Sequence, residues 1–271
     1  MSRTLREKIQ DRMSQLDIVP KRSLGQNFLV SDSVVDKIIT EASPEKFDRV
    51  FEIGPGLGAL TDSLISQSKN LRVVEFDRQF AAFWREKSVE VVEDDALKVP
   101  WGDWLKEEGR HLLVSNLPYQ ISSRLVVELS LLPVSFDRMV LMFQKEVGQR
   151  MMAAPGTSDY GLLTVVAQSF WKIRLVVEAG AVDFMPKPNV ASRVLIFNRN
   201  DFQLEQASEY LNFLKLCFQE RRKKLLPKLK IFRDREALEE LFKALGLDPG
   251  IRAERLSPDE FYKLYTSLKK S

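Results

Sequence analysis

The chain has 271 residues, of which 44% are hydrophobic and 29% charged, a balance that supports a sizeable core and excludes a disordered or low-complexity protein. It contains no apolar run of about 18 residues, no apolar segment typical of a signal peptide, one cysteine and one histidine. These features exclude a membrane span, an internal disulfide and a Cys- or His-rich metal site. We therefore expect a cytoplasmic, metal-independent protein with one large domain, or with a large and a small one.

The formal net charge of +3 is small, but its distribution is uneven. The first 200 residues carry equal numbers of basic and acidic side chains, so the whole excess lies in residues 201–271. Six cations and no anion fall within residues 221–230. Such a cluster favours contact with phosphate groups, and the alternative is an ordinary solvated helix face.

The first half of the chain predicts alternating helices and strands. A charged amphipathic helix is predicted over residues 5–16, a polar loop over 19–29, and a helix capped by Ser31 or Asp32 after that. From residue 49 onward, short and almost continuous apolar runs alternate with helical patterns, which indicates a parallel sheet covered by helices on both faces. The predicted strands cover residues 49–53, 71–76, 89–93, 111–115 and 138–143, and the helices between and after them cover 57–68, 78–87, 121–132 and 145–153.

The pattern changes after residue 154. A helix over 162–169 precedes two further strands, 173–178 and 192–197, which are separated by the Pro-rich residues 184–189. These strands predict an antiparallel pair at the end of an otherwise parallel sheet. Beyond residue 200 only helical patterns remain, so we predict a structural boundary there.

A glycine-rich turn, Gly54-Pro-Gly-Leu-Gly58, follows the first strand of the sheet and precedes a helix. Its glycines let the backbone approach a ligand closely, and the helix N-terminus adds donors. Glu75 ends the second strand, where a carboxylate can accept both hydroxyls of a ribose. The Gly-x-Gly-x-Gly spacing differs from the dinucleotide pattern and suits S-adenosylmethionine better than NAD. The alternative is a tight strand-to-helix turn.

Polar side chains also follow the third and fourth strands. Asp95 stands just past the third strand, where its carboxylate can accept a hydrogen bond from the adenine amine of a cofactor; an exposed acidic turn is the alternative. The turn Asn116-Leu-Pro-Tyr119 ends the fourth strand and is stiffened by Pro118. The Asn116 side-chain oxygen and a turn carbonyl can accept the hydrogens of a substrate adenine amine, while Tyr119 stacks on the base. A plain Asn-Pro turn is the alternative.

Longer blocks of sequence match a known family in order and almost from end to end. Beyond the glycine turn, the matching blocks cover residues 21–29, 116–123, 143–150, 155–164, 184–193, 217–225 and 252–257. In these blocks the chain resembles the 16S ribosomal RNA adenine-N6,N6-dimethyltransferases. The resemblance implies a Rossmann-like class I methyltransferase domain with an N-terminal extension over residues 1–200, and a small all-helical RNA-binding domain over residues 201–271.

The same resemblance implies an activity and site residues. The activity is transfer of methyl groups from S-adenosylmethionine to two adjacent adenines near the 3′ end of 16S ribosomal RNA, in the small subunit or its precursor. We expect a monomer that does not bind membranes. The implied cofactor residues are Asn27, Leu29, Gly54, Glu75, Asp95 and Asn116, and the implied catalytic residues are Asn116, Pro118 and Tyr119. The resemblance also implies that Phe184 stacks on the target base. The basic segment that contains Arg221, Arg222 and Lys223 agrees with it, because such a segment suits contact with the phosphates of a folded RNA.

Three other functions are alternatives to that of a small-subunit RNA dimethyltransferase. Antibiotic-resistance methyltransferases of large-subunit RNA resemble the first two-thirds of the chain, but the C-terminal blocks and the turn at 116–119 favour the small-subunit family. A non-catalytic protein of ribosome assembly or transcription is disfavoured by the intact Glu75, Asp95, Asn116 and Tyr119. A NAD-dependent dehydrogenase is disfavoured by the glycine spacing.

Two residues of the block at 116–123 depart from the family pattern. Gln120 and Ser123 stand where the family often has Asn and Thr.

Overall fold

The computed structural model describes residues 3–20, 27–200 and 206–269, so residues 21–26 of the first matching block lie outside the described part. The strands are β1 (Phe28–Leu29), β2 (Arg49–Ile53), β3 (Leu71–Glu75), β4 (Glu90–Glu93), β5 (His111–Asn116), β6 (Arg138–Gln144), β7 (Trp171–Ala179), β8 (Phe184–Met185) and β9 (Ser192–Arg199). The α-helices are α1 (Leu5–Gln15), α2 (Asp32–Ala42), α3 (Thr61–Gln67), α4 (Arg78–Glu86), α5 (Trp101–Trp104), α6 (Tyr119–Ser130), α7 (Lys145–Met151), α8 (Leu162–Phe170), α9 (Ala207–Phe218), α10 (Arg235–Ala244) and α11 (Pro258–Lys269).

Seven strands form one sheet in the order β4-β3-β2-β5-β6-β9-β7. The pairs from β4 to β6 are parallel, and β9 runs antiparallel to β6. The chain builds outward from β2 first through β3 and β4 and then through β5 and β6. The carboxyl ends of β3 and β5 therefore flank that of β2, which creates the crevice where ligands bind in open α/β sheets. The predicted mostly parallel, Rossmann-like fold is confirmed.

Apolar strand sequences explain why the middle of the sheet is its core. β5 and β6 are buried along nearly their whole length, as expected of strands covered by helices on both faces. Phe51 of β2 packs edge-on against Trp101 and Phe136 and stacks on Trp104, with ring centroids 5.6–6.0 Å apart. These contacts fix β2, which carries the glycine turn at its carboxyl end.

The short helix α5 and the short strands β1 and β8 were not predicted. β1 and β8 form a separate two-stranded antiparallel sheet, in which Phe28 lies opposite Met185 and Leu29 opposite Phe184. Strands of two residues show no alternation that a sequence pattern could reveal. The helix predicted over 57–68 begins only at Thr61, because residues 54–58 form a turn whose glycines have positive φ angles.

Contacts divide the chain into two units, and the second contains residues 130–133, 149–171 and the chain from residue 200 onward. In that unit the rings of Tyr210, Phe213 and Tyr265 cluster with centroids 5.2–6.4 Å apart. The Tyr160 hydroxyl donates to the Leu256 carbonyl at 2.5 Å, which ties the segment before α8 to the C-terminal helices. The functional division into residues 1–200 and 201–271 stays a prediction. Among the described helices, none has the length and apolar character needed to cross a membrane.

Candidate active site at the carboxyl ends of the strands

A cavity of about 280 Å³ lies in the first unit, at the carboxyl ends of β2 to β5. It brings together every cofactor and catalytic residue that the sequence predicts, although these residues are scattered over about a third of the chain. The predicted residues that line it are Asn27, Leu29, Gly54, Glu75, Asp95, Asn116, Pro118 and Tyr119.

The glycine turn, residues 54–58, forms one wall of the cavity. Gly54 has a φ of +65° and its N–H donates to the Val74 carbonyl at 2.8 Å, which joins the turn to β3. Gly58 has a φ of +87°, and a Cβ there would lie 2.5 Å from both the Arg12 guanidinium and the Trp84 ring. Gly54 therefore shapes the wall that faces the cavity, whereas Gly58 is required by packing behind it.

Glu75 presents a buried carboxylate at the end of β3. One oxygen accepts the Asp77 N–H at 2.8 Å and the other accepts the Gly56 N–H at 3.2 Å, so both strand end and glycine turn hold it in place. The side chain is only 6% exposed. Burial raises the pKa of Glu75 to about 7, although the N–H groups of Asp77 and Gly56 act in the opposite direction.

Glu52 is a second buried carboxyl of the cavity, which the sequence analysis did not single out. It is 2% exposed, and its Oε2 atom has no hydrogen-bond partner among the described residues. Burial raises its pKa to about 8; the neighbouring Thr61 hydroxyl lowers it, and the charge of Glu75 adds to the rise. A buried carboxyl oxygen without a partner fits a ligand that carries hydroxyl or ammonium groups, and an ammonium group would favour the ionised form of Glu52.

Phe76 and Asp95 lie on the same side of the cavity as Glu75. Phe76 follows Glu75 directly and is 66% exposed, which is unusual for a phenylalanine and leaves a flat apolar surface in the cavity wall. Asp95 is half-buried and accepts the Leu97 N–H at 3.0 Å. Phe76 was missed because a strand-ending aromatic residue resembles core in a sequence; only its exposure distinguishes it.

The turn at residues 116–119 forms the opposite wall. The Ser115 hydroxyl donates to the Ile53 carbonyl at 2.6 Å, which locks the end of β5 against the end of β2. The Asn116 amide nitrogen donates to the Asn27 carbonyl at 3.4 Å, so the first matching block and the predicted catalytic turn meet here. A Cβ on Gly54 would lie 3.9 Å from the Pro118 ring, so the two turns are in near contact.

Tyr119 is the first residue of α6, and its hydroxyl contacts strand β9 of the large sheet. Its hydroxyl lies 2.8 Å from the hydroxyl of Ser192, which is fully buried at the start of β9. Burial raises the pKa of the Tyr119 phenol, while its hydrogen bond with Ser192 lowers it. The phenol is therefore neutral at physiological pH, which suits a ring that packs and stacks rather than one that exchanges protons.

The cavity has the chemical features that a nucleoside cofactor requires. Glu75 and Asp95 offer carboxylate oxygens that can accept hydrogen bonds from hydroxyl or amine groups, and Phe76 offers a flat face on which a base can stack. Glu52 supplies a further acidic acceptor beside the glycine turn. Asn116 and Tyr119 line the same cavity, next to the glycine turn.

Phe184 lies elsewhere in the same unit. It is 1% exposed, belongs to the hydrophobic core, and pairs with Leu29 across the small β1–β8 sheet. It is not one of the residues that line the cavity. Stacking of Phe184 on a substrate base stays a prediction. In the structure it pairs with Leu29, which lines the cavity.

The predicted RNA-contacting cations lie in the second unit and differ in their surroundings. The Arg221 guanidinium donates to the carbonyls of Ser158 and Tyr160 at 3.2 and 3.3 Å and lies 3.5 Å from the Glu254 carboxylate. Lys223 forms an exposed ion pair with Glu220. The side chains of Arg222 and Lys224 are exposed. Arg221 is exposed as well, but its contacts with the Ser158 and Tyr160 carbonyls hold a loop.

Comparisons with known proteins agree with this architecture. The family model described as ribosomal RNA adenine dimethylase matches residues 19–270. A protein of Bdellovibrio bacteriovorus named ribosomal RNA small subunit methyltransferase A is 44% identical, over 96% of each chain. The crystal structure of a dimethyladenosine transferase from Plasmodium falciparum has a TM-score of 0.77 and 26% identity, covering 90% of this chain and 98% of that one.

A second solved structure shows how widely the fold is shared. The 23S rRNA methyltransferase ErmE has a TM-score of 0.68 and 24% identity, covering 90% of this chain and all of the other. At that identity the likeness concerns the fold alone. The family model and the more similar relatives confirm the family that the sequence blocks predicted: this chain belongs to the ribosomal RNA adenine dimethylases, which are methyltransferases.

Proposed function

We propose that the protein transfers methyl groups from S-adenosylmethionine to the N6 amines of two adjacent adenines near the 3′ end of small-subunit ribosomal RNA. One observation carries this proposal: a single cavity joins the Glu75 carboxylate to the turn at residues 116–119. The first suits the nucleoside of a cofactor and the second suits the amine of a substrate base. We further propose that the enzyme acts in the cytoplasm on the small subunit or its precursor.

The cofactor would be held by residues from several strand ends. Glu75 would accept the ribose hydroxyls, Asp95 the adenine amine, and the Gly54 backbone would lie against the amino-acid portion. Asn27 and Leu29 would close the cavity from the N-terminal side. When bound, S-adenosylmethionine supplies a sulfonium-activated methyl group. The orphaned Oε2 of Glu52 fits this assignment because the cofactor carries an ammonium group.

The residues of the turn at 116–119 would prepare the substrate amine. The adenine amine is a weak nucleophile because its lone pair is delocalised into the ring. Asn116 and a turn carbonyl would accept its two hydrogens and favour a pyramidal nitrogen, and Tyr119 would hold the base by stacking. Asn116 and the turn carbonyl would thus direct the nitrogen lone pair toward the methyl group that the cofactor would supply, with S-adenosylhomocysteine as the leaving group, and the methylated amine would release its extra proton to solvent. No strong base is needed for this step.

The second unit would bind the folded RNA through phosphate contacts. The exposed Arg222 and Lys224 would contact phosphates directly, and Lys223, which pairs with Glu220, lies beside them. Arg221 would hold the loop that carries Ser158. The target adenines must be unpaired or extruded from a helix to reach the cavity.

Methyl transfer to isolated subunits tests this proposal. Radiolabelled S-adenosylmethionine would be incubated with unmethylated small subunits and, in parallel, with unmethylated large subunits, and the RNA digested to nucleosides. We expect N6,N6-dimethyladenosine from the small subunits alone, located by primer extension near the 3′ end. Label in the large subunit would instead assign a different RNA target. Absence of label despite cofactor binding would refute the catalytic proposal.

A further inference from the structure

The N-terminal helix α1 forms part of the cavity although it lies outside the family's matching blocks. Ile9 of this helix is completely buried and lines the cavity. A capping box between Thr4 and Glu7 fixes the helix start, with hydrogen bonds of 3.3 and 2.8 Å. The Leu5 N–H points to the Asp32 carboxylate at 3.2 Å, which ties α1 to the start of α2. The helix is therefore docked at a defined position.

Arg12, one turn after Ile9, connects α1 to the glycine turn. Its guanidinium donates to the Leu57 carbonyl at 2.7 Å and to the Asp62 carboxylate at 2.9 Å. It also lies over the Trp84 ring, 5.5 Å from the ring centre. The side chain is only 17% exposed, so these contacts are shielded from solvent and are stronger than surface ion pairs.

The glycine turn is braced from behind by two side chains. Trp84 donates its indole N–H to the Gly56 carbonyl at 2.9 Å, while Arg12 holds the adjacent Leu57 carbonyl. On its other side the Gly56 N–H donates to Glu75. A short chain of contacts therefore leads from Arg12 through the turn to the carboxylate that faces the cavity. The missing Cβ of Gly58 provides the space for both Arg12 and Trp84.

We propose that Arg12 is a positioning residue for cofactor binding and that α1 is a wall of the cofactor site whose docking is coupled to occupancy. The inference rests on the proposed function, because it assigns the cavity to S-adenosylmethionine. Arg12 does not touch the cofactor in this scheme. It fixes the Leu57 carbonyl of the glycine turn, beside the Gly56 carbonyl that Trp84 holds, so that the turn's N–H groups and Glu75 are presented in one geometry. Ile9 covers the ligand.

Two linked consequences follow from the coupling. Loss of Arg12 weakens cofactor binding, because part of the binding free energy must then be used to order the turn and α1. Conversely, a bound cofactor slows the local opening of α1. The ligand contacts Ile9 only when the helix is docked, so binding stabilises the docked state.

The test measures the affinity for S-adenosylhomocysteine by calorimetry with the full chain. We expect Arg12→Ala to weaken binding about 10- to 100-fold, as for loss of a charge-assisted hydrogen bond, and Arg12→Lys to restore part of it. Arg3→Ala is the matched control, because Arg3 lies just before α1 and its ion pair with Asp11 is exposed. We expect wild-type affinity for this control.

Hydrogen exchange supplies a second measurement that does not depend on a variant. In the wild-type protein, we expect S-adenosylhomocysteine to slow the exchange of the amides of α1, including those of Ile9 and Arg12. Unchanged affinity in a folded Arg12→Ala protein, or exchange in α1 that ignores the ligand, would overturn the inference. If the wild-type protein itself does not bind S-adenosylhomocysteine, the proposed function fails instead.

Discussion

The hydroxyl of Tyr119 lies 2.8 Å from the hydroxyl of Ser192, and this hydrogen bond joins the proposed substrate-binding turn to the antiparallel strand β9. The two residues are far apart in sequence, and Ser192 is fully buried. The bond fixes the position of the hydroxyl end of the Tyr119 ring. A base stacked on that ring would therefore be positioned with the help of a strand that contributes none of the described residues lining the cavity.

We expect Ser192→Ala and Tyr119→Phe each to lower the kcat of methyl transfer by roughly 3- to 10-fold, because either change removes the hydrogen bond that holds the ring in position. The kcat of the double variant should be about equal to that of the less active single variant, since both changes remove the same hydrogen bond. Steady-state kinetics on small subunits would measure this. Fully additive losses would show that the two side chains act independently. Ser135→Ala is the control, because it removes a hydroxyl that donates to the Leu129 carbonyl.

Asn116→Ala should separate binding from chemistry. We expect cofactor affinity to stay within about 10-fold of wild type while kcat falls by about 100-fold or more, because the amide acts mainly on the attacking amine. Calorimetry with S-adenosylhomocysteine and single-turnover methylation would measure the two quantities. Equal losses in both would show instead that the bond from Asn116 to the Asn27 carbonyl mainly shapes the cofactor wall.

Cofactor affinity should depend on pH through Glu75. Burial raises the pKa of this carboxyl to about 7, so in the free protein it is partly protonated near neutral pH. The ionised form accepts ribose hydroxyls better, so affinity should rise as pH increases through that pKa and fall below it. Calorimetry across this range would test the slope. Glu75→Gln should flatten it, whereas Glu52→Gln would report any contribution from the neighbouring buried carboxyl.

Gly58→Ala should destabilise the protein by about 2 kcal/mol or more, because the new methyl would collide with Arg12 and Trp84 at a positive φ. Gly246→Ala is the matched control, since Gly246 also has a positive φ, +69°, but no atom within 4 Å of an added Cβ. It should cost only about 1 kcal/mol, from backbone strain alone. Urea denaturation would compare them, and equal losses would remove the packing argument.

The cations of the second unit should not be equivalent. Arg222→Ala should weaken binding to small-subunit RNA and reduce the slope of log affinity against log salt by about 1, as for loss of one phosphate contact. Arg221→Ala should instead lower the thermal stability, because Arg221 holds the Ser158 and Tyr160 carbonyls. Filter binding over a salt series and thermal denaturation would separate the two effects. An unchanged salt slope for Arg222→Ala would assign that residue to a solvated surface.

The sequence predicted the elements that carry a strong periodic signal, and it predicted the residues at the strand ends. Glu75, Asp95 and Asn116 were identified because parallel strands bring their carboxyl ends to one edge, whatever the details of packing. Glu52 and Phe76 were missed because nothing in a sequence distinguishes a buried carboxyl or an exposed aromatic ring from its ordinary counterpart.

Long-range support for the site was also beyond sequence patterns. The contacts of Arg12 with the glycine turn and of Tyr119 with Ser192 join residues far apart in the chain. Such pairs depend on how the elements pack, and a single sequence contains no periodicity that encodes them. The different surroundings of Arg221 and Arg222, two adjacent and chemically identical residues, are a further case.

The small sheet formed by β1 and β8 has a consequence for the order in which the protein is assembled. Phe28 and Leu29 emerge early during synthesis, but their partners Met185 and Phe184 follow only after more than half of the chain has been made. Contacts of such high sequence separation form slowly, because a long loop must close first. The wall that contains Leu29 is therefore completed only after residues 184 and 185 have been made, so a product truncated before them would lack this wall of the proposed cofactor site.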